Sequence, residues 1–168
     1  MPALTISITD VDTEAKLPLG FEVTQEYGPD KGLRTWVYVF NDESSLPFAQ
    51  GTVVMRDAAT ETSDGLIAAV STPANRLLGV AQHAIAAGSY GFILRRGVGE
   101  VLAGTESLDV NEGVYVSATD AGTGMEAGAA VTAAGSAITE AHLAGPFATA
   151  LENAAAAALA TCVIDCRG

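Results

Sequence analysis

Short apolar runs that follow a glycine recur along this 168-residue chain. "LPFAQGTVVM" (46–55) and "LDVNEGVYVS" (108–117) share a leucine, a glycine five residues later, and then a β-branched or aromatic run. "IAAGSYGFIL" (85–94) and "MEAGAAV" (125–131) place the glycine three residues after the apolar anchor. Glycine can adopt positive φ where a chain reverses, and the run after it can enter a sheet directly. Each copy therefore predicts a turn followed by a strand.

Two further stretches predict strands outside that pattern. "TWVYVF" (35–40) is apolar on both alternating faces, so it predicts a strand that is covered on both sides. "LTISIT" (4–9) alternates strictly, which predicts an amphipathic strand or an arm that pairs elsewhere, with an apolar face made by Leu4, Ile6 and Ile8. Residues 10–34 show no sustained period and predict loop or extended chain.

The alanine-rich stretch near the carboxyl end allows two structures. "LENAAAAALA" (151–160) predicts a short helix, because alanine has the highest helix propensity. However, "ALENAAAAALATCVIDCRG" (150–168) weakly repeats "GVAQHAIAAGSYGFILRRG" (79–97), and this favours a connection between strands. No βαβ alternation is present, and about eight to ten short strands at close spacing predict an all-β sandwich or small barrel. The alternative is an α+β fold with one helix near 147–159.

The charge balance excludes several classes of partner. Twenty Asp and Glu against eight Lys and Arg give a formal net charge of −12. Nucleic acid is not expected as a partner, because its phosphates would be repelled, and an acidic membrane surface is disfavoured for the same reason. No run reaches the roughly 20 apolar residues of a membrane helix, and the amino terminus does not resemble a secretory signal. A protein partner is compatible with this composition.

The chemically reactive side chains do not form a recognisable site. On a strand, Cys162 and Cys166 would lie on one face but about 13 Å apart, so we expect free buried thiols without a disulfide. Neither His83 nor His142 has a metal-ligand spacing to them, and no GxSxG motif is present. "GTGMEAG" (122–128) lacks the strand and helix of a dinucleotide loop and predicts a turn. We therefore predict no catalytic, cofactor or metal site.

Arg95 and Arg96 stand out because cations are few and these two are adjacent at the end of an apolar run. Strand alternation sends their side chains to opposite faces. One can then face solvent while the other meets an acidic residue, in this chain or in another copy. An ordinary surface pair is favoured, and the two residues are also candidate contacts with another copy.

Three stretches together carry a resemblance to a known family: "GVAQHAIAAGSYGFILRRG" (79–97), "NEGVYVSATDAGTGMEA" (111–127) and "TCVIDCRG" (161–168). Over about residues 46–168 the sequence resembles head decoration proteins of tailed bacteriophages, also called capsid cement proteins. The resemblance implies a virion protein without enzymatic activity or cofactor. It also implies a compact β-tulip or related small-barrel fold, made in the host cytoplasm and bound to the outside of the icosahedral shell.

The resemblance further implies the major capsid protein as partner and a homotrimer as the assembled form. Residues 1–34 fall outside the recognisable part, so we expect an amino-terminal arm there and a β-rich decoration domain over 35–168. The arm would add the strand carrying Leu4, Ile6 and Ile8 to a neighbouring sheet edge, and Arg95 and Arg96 are also candidate contacts with the capsid. Two other functions stay open: a small β-scaffold enzyme that uses His83, and a trimeric tail or spike module that binds a glycan.

Overall fold

The computed structural model describes residues 7–28, 32–57, 64–69, 72, 74–117, 120–126 and 145–166. Within these ranges the chain forms ten strands, one 3-10 turn at Ala74–Arg76 and no α-helix. The strands are β1 (Glu22–Glu26), β2 (Leu33–Asn41), β3 (Val53–Arg56), β4 (Asp64–Ile67), β5 (Leu77–Val80), β6 (Tyr90–Leu102), β7 (Gly113–Val116), β8 (Gly124–Glu126), β9 (Ala148–Ala150) and β10 (Leu159–Asp165). The predicted all-β class is confirmed. No helix in these ranges is long and apolar enough to cross a membrane.

Five strands close into a barrel in the order β2, β4, β3, β5, β6, because β6 also pairs with β2. The β2–β4 pair is parallel, and the other pairs are antiparallel. A barrel of so few strands has room inside only for side chains. Its buried interior is built mainly from Val, Ile and Leu, namely Val37, Val39, Phe48, Val54, Leu78, Ala81, Ile85 and Ile93.

Strand β6 is 13 residues long and continues beyond this barrel. Its second part pairs with β10, which is followed across the sheet by β9, β7 and β8. A parallel bridge from Ala103 to Gly124 brings β8 back beside the end of β6. The second group of strands therefore repeats the order of the first. Its interior contains mostly Val and Ala, namely Val101, Ala103, Val114, Val116, Ala148, Ala150, Ala154 and Ala160, together with Leu108, Phe147, Cys162 and Ile164.

Four connections between strands share one geometry. Each has a residue in an isolated bridge, a residue with positive φ three positions later, and a strand that begins two positions after that. The bridge residues pair two by two, Phe48 with Ile85 and Leu108 with Ala154. The residues with positive φ are Gly51, Gly88, Asn111 and Ala157.

The strand registers repeat in the same way. Val53 pairs with Val80 in the β3–β5 ladder, and Gly113 pairs with Thr149 in the β7–β9 ladder. Each of these four residues lies five positions from the bridge residue of its own connection. We call residues 33–95 the first half and residues 96–166 the second half. The described parts of the two halves are structurally equivalent, and they share β6.

The sequence pattern predicted the copy at 85–94 correctly, because Ile85 is its bridge residue and Gly88 has positive φ, but it misplaced one residue in each of two other copies. In the copy at 46–55 the bridge residue is Phe48 rather than Leu46. In the copy at 108–117 Asn111 makes the turn, and Gly113 begins β7. The alanine-rich stretch is a connection between β9 and β10, as favoured, and Ala154 is its bridge residue.

Two local predictions need correction. The stretch "VAQHAI" (80–85), which leads into the glycine break, predicts a strand that carries His83, but His83 lies in the bend after β5. Within "GTGMEAG", Gly124–Glu126 is strand β8 and not a turn, because it pairs with β7. The last residues of that stretch, and those of "MEAGAAV" beyond Glu126, lie outside the described residues.

The amino-terminal segment packs against the first half. Ser7 to Asp10 form a turn closed by a hydrogen bond from the Asp10 N–H to the Ser7 carbonyl, so the predicted strand does not extend over residues 7–9. The chain then bridges Tyr90 at Asp12 and forms β1 along the edge of β2. Leu4 and Ile6 lie outside the described residues.

We expect alanine at Gly51 to cost more stability than alanine at Gly88, its equivalent in the β6 turn. Both residues have positive φ, which costs an alanine about 1 kcal/mol. A Cβ at Gly51 would also lie 2.6 Å from the Leu102 nitrogen, whereas nothing lies within 4 Å of one at Gly88. Urea unfolding should show Gly51→Ala to be less stable than Gly88→Ala by at least about 1 kcal/mol. Equal losses of stability in the two variants would contradict the close approach of the Gly51 turn to Leu102 on β6.

Candidate functional site

The outer face of the first half consists of large aromatic and aliphatic side chains on β2 and β6. Three cross-strand pairs make it: Trp36 with Leu94, Tyr38 with Phe92, and Phe40 with Tyr90. The rings contact one another, with centroids 5.1 Å apart for Tyr38 and Phe92 and 4.8 Å apart for Phe40 and Tyr90. This face points away from the barrel interior, where Val37 and Val39 lie.

The amino-terminal segment covers this aromatic face. The Lys16 N–H donates to the Tyr38 hydroxyl at 3.3 Å, and β1 pairs Val23 with Trp36. Backbone hydrogen bonds join Phe21 to Tyr38 at 2.9 Å and Asp12 to Tyr90 at 2.8–3.0 Å. Trp36 and Tyr38, which this segment contacts, are at most 2% exposed, and their neighbours Phe92 and Leu94 are equally buried.

The equivalent face of the second half is open. It is made by three pairs on β6 and β10: Val98 with Val163, Glu100 with Thr161, and Leu102 with Leu159. We call these six residues the β6–β10 face. Val163 is 42% exposed and Leu159 is 38% exposed, so the part of the chain that the structure describes leaves both side chains accessible.

The edge of β6 beside this face is paired by side chains and one loop carbonyl, not by a strand. The Glu100 N–H donates to Gln82 Oε1 at 2.8 Å, and Gln82 Nε2 donates to the Glu100 carbonyl at 2.9 Å. Arg34 Nε donates to the Val98 carbonyl at 2.6 Å, and the Leu102 N–H donates to the Gly51 carbonyl at 3.0 Å. We call residues 98–102 with these partners the β6 edge.

A cavity of about 290 Å³ lies over the β6 edge. Its walls include Tyr27, Arg34, Gln50, Gln82 and Glu100. The Arg34 guanidinium carbon lies 3.1 Å from the centroid of the Tyr27 ring, and Gln50 donates to the Glu100 carboxylate. The cavity is therefore polar, and its side chains hold one another in place.

Arg95 and Arg96, the two arginines predicted as candidate contacts, each form an ion pair within the chain. Arg95 forms an ion pair with Glu22 on β1, and Arg96 Nε lies 3.0 Å from Asp165 Oδ1 on β10. Such surface pairs contribute about 0–1 kcal/mol, so they do not prevent either arginine from contacting another chain. Ile8, the third predicted contact in the described region, packs half-buried against its own core.

The structure does not bring together the chemically reactive side chains of His83, Cys162 and Cys166. Nε2 of His83 is buried with no hydrogen-bond partner among the described residues, and burial lowers the pKa of this imidazole. Cys162 and Cys166 are free and buried, as expected from their spacing. Burial raises the pKa of each thiol to about 12. Within the described ranges no three His, Cys, Asp or Glu residues are placed to hold a metal ion.

Sequence reasoning missed the β6–β10 face. Val163 belongs to the run "TCVIDC", where the spacing of the two cysteines predicts one buried face of a strand but gives no prediction for the face that carries Val163. Cys162 and Ile164 do point into the interior, but the described residues leave Val163 on the open side. The weak repeat of residues 79–97 at the carboxyl end was the signal for this face, because it pairs a covered strand with an uncovered equivalent.

We expect both thiols to be unreactive in the folded protein. A thiol with a pKa near 12 is ionised to only about one part in ten thousand at pH 8, and the thiolate is the reactive form. Ellman's reagent at pH 8 should therefore label neither cysteine in native protein and both in guanidinium chloride. Rapid labelling of native protein would show that the strand β10 interior is accessible.

Comparison with known proteins gives a structural likeness only. No protein-family model and no curated protein matches the sequence. Among solved structures, the chain is similar to the N base of the head fiber gp8.5 of bacteriophage phi29, with a TM-score of 0.52 and 14% sequence identity. The alignment covers 86% of this chain and 95% of that one. At this identity the likeness shows the fold.

Proposed function

We propose that this chain is a structural protein of a phage head, which binds the outer surface of the capsid and stabilises the shell without catalysing a reaction. The observation that supports this most is the likeness to a head fiber base domain over 86% of the chain. The sequence resemblance to head decoration proteins rests on separate grounds, the glycine-punctuated runs. Both point to a protein on the outside of a phage head.

The arrangement of side chains suits adhesion better than chemistry. An enzyme that used His83 would need a partner to orient the imidazole, and the described residues supply none to its Nε2. A glycan-binding module would present an exposed tryptophan, but Trp36, the one tryptophan in the sequence, is 2% exposed. The net charge of −12 keeps an abundant free protein soluble and away from the packaged genome.

The finer part of the proposal concerns partners and assembly. The partner is the major capsid protein, and the assembled form is a homotrimer on the virion surface. Several weak contacts can then act together, so that each copy needs only a small interface. Arg95, Arg96 and the amino-terminal residues Leu4, Ile6 and Ile8 are the proposed contacts with the shell or with other copies.

Cosedimentation with phage heads tests this function. Heads that lack the protein should bind the purified chain at a saturating, fixed ratio per head. They should also withstand heating or low ionic strength better once it is bound. Bovine serum albumin serves as the control for trapping in the pellet. Absence of binding to heads of the virus that encodes it would contradict the proposed function.

Removal of residues 2–6 tests the proposed arm. The deletion stops before Ile8 and Asp12, which contact the first half, so it should leave the fold unchanged. We expect the shortened chain to keep its circular dichroism spectrum and unfolding midpoint and to bind heads several-fold more weakly. Undiminished binding would show that Leu4 and Ile6 do not contact the shell.

A further inference from the structure

The two halves differ at the strand edge and outer face that lie just before the parallel pairing, on β2 in the first half and on β6 in the second. On β2, the edge just before the parallel pair with β4 is occupied by β1, and the adjacent face is covered by the amino-terminal segment. On β6, residues 98–102 come just before the parallel bridge from Ala103 to β8. No described strand pairs with that edge, and no described segment covers the adjacent β6–β10 face.

We propose that the β6–β10 face and the β6 edge bind an extended, basic segment of another protein chain, which takes the place that residues 12–26 take on the first half. The proposal deepens the proposed function, since it names the surface that meets the shell. The identity of the partner as the shell protein rests on that function.

The hydrogen bonds of the β6 edge favour a strand as the occupant. The Gln82 amide accepts from the Glu100 N–H and donates to its carbonyl, which are the two bonds that one residue of an antiparallel strand would make. A side-chain amide can rotate away, so an incoming peptide group can replace it without leaving either Glu100 group unpaired. Strand addition of this kind draws affinity from main-chain hydrogen bonds and specificity from alternate side chains.

The neighbouring face supplies apolar contacts for those alternate side chains. Val163 and Leu159 are 42% and 38% exposed, and Val98 and Leu102 lie beside them on β6. In the first half the equivalent positions carry Leu94, Tyr90, Trp36 and Phe40, which are buried or half-buried, and the covering segment contacts Trp36 and Tyr90. An extended segment with apolar residues at every second position fits the face in the same way.

Charge favours a basic partner over a second copy. The chain carries a net charge of −12, and a second copy would bring the same excess to the contact. Glu100 belongs to the face and Glu152 accepts a hydrogen bond from Thr161 in it. The nearby cations already have partners, since Arg96 pairs with Asp165, Arg95 pairs with Glu22, and Arg34 contacts the Val98 carbonyl and the Tyr27 ring. Complementary charge across an interface speeds association and suppresses wrong partners.

Val163→Lys, compared with Val110→Lys, tests the surface on purified heads that lack the protein. Both valines are 42% exposed, but Val110 lies in the turn before β7 and is not one of the six residues of the β6–β10 face. The Val163→Lys substitution would place a charge where the proposed segment makes an apolar contact, and this charge would repel a basic segment. We expect Val163→Lys to bind heads at least about tenfold more weakly than wild type, and Val110→Lys to bind within about twofold.

The outcomes separate the two proposals. Equal binding of both variants would contradict the proposed surface and leave the proposed function standing. Failure of the wild-type chain to bind heads would contradict the function itself. If Val163→Lys instead changes self-association in sedimentation equilibrium and leaves head binding intact, the face joins copies of this chain and the proposal of a basic partner is wrong.

A second pair of variants tests the edge without adding charge to the face. Gln82→Ala removes the amide that an incoming strand must displace, whereas Gln50→Ala removes only a contact to the Glu100 side chain. We expect Gln82→Ala to lower the unfolding midpoint of the free protein and yet to bind heads at least as tightly as wild type. Weaker binding by Gln82→Ala than by Gln50→Ala would overturn strand addition at this edge.

Discussion

Strand β6 is the element on which the rest of the molecule depends, because it belongs both to the five-stranded barrel of the first half and to the group of strands in the second half. Its first part closes the first barrel against β2 and β5, and its second part pairs with β10 and begins the second half. The interior of each group of strands is narrow, so most of its buried side chains are Val, Ile and Ala, with few large ones such as Phe48 and Phe147. This explains a composition that is 49% hydrophobic and only 6% aromatic.

The equivalence of the halves makes their difference informative. Four connections repeat one geometry, although only two of them, at Gly51 and Gly88, have glycine at the position with positive φ. Asn111 and Ala157 hold the same conformation, so the backbone plan persists where the residue type does not. The outer faces have diverged instead: one carries aromatic rings under an amino-terminal cover, and the other carries accessible Val163 and Leu159.

Local pattern predicted the class of fold and several of its parts. Glycine-led apolar runs gave the turns and strands, the continuous apolar run around Trp36 and Val37 gave a strand buried on both faces, and four-residue spacing gave two separate buried thiols. The exact anchors, such as Phe48, were not readable, because a bridge partner far along the chain selects them. The β6–β10 face was not readable either, since the accessibility of Val163 depends on which segments cover it and not on its own neighbours.

In the proposed function, this protein is an adhesive scaffold that binds its partner through the β6–β10 face of the second half. The equivalent face of the first half is covered by the protein's own amino-terminal segment. Electron cryomicroscopy of heads saturated with the protein tests that view most directly. The account predicts that the second half faces the shell, with extended partner density beside residues 98–102 and over Val163. Attachment through the first half, with the β6–β10 face directed to solvent, would contradict it.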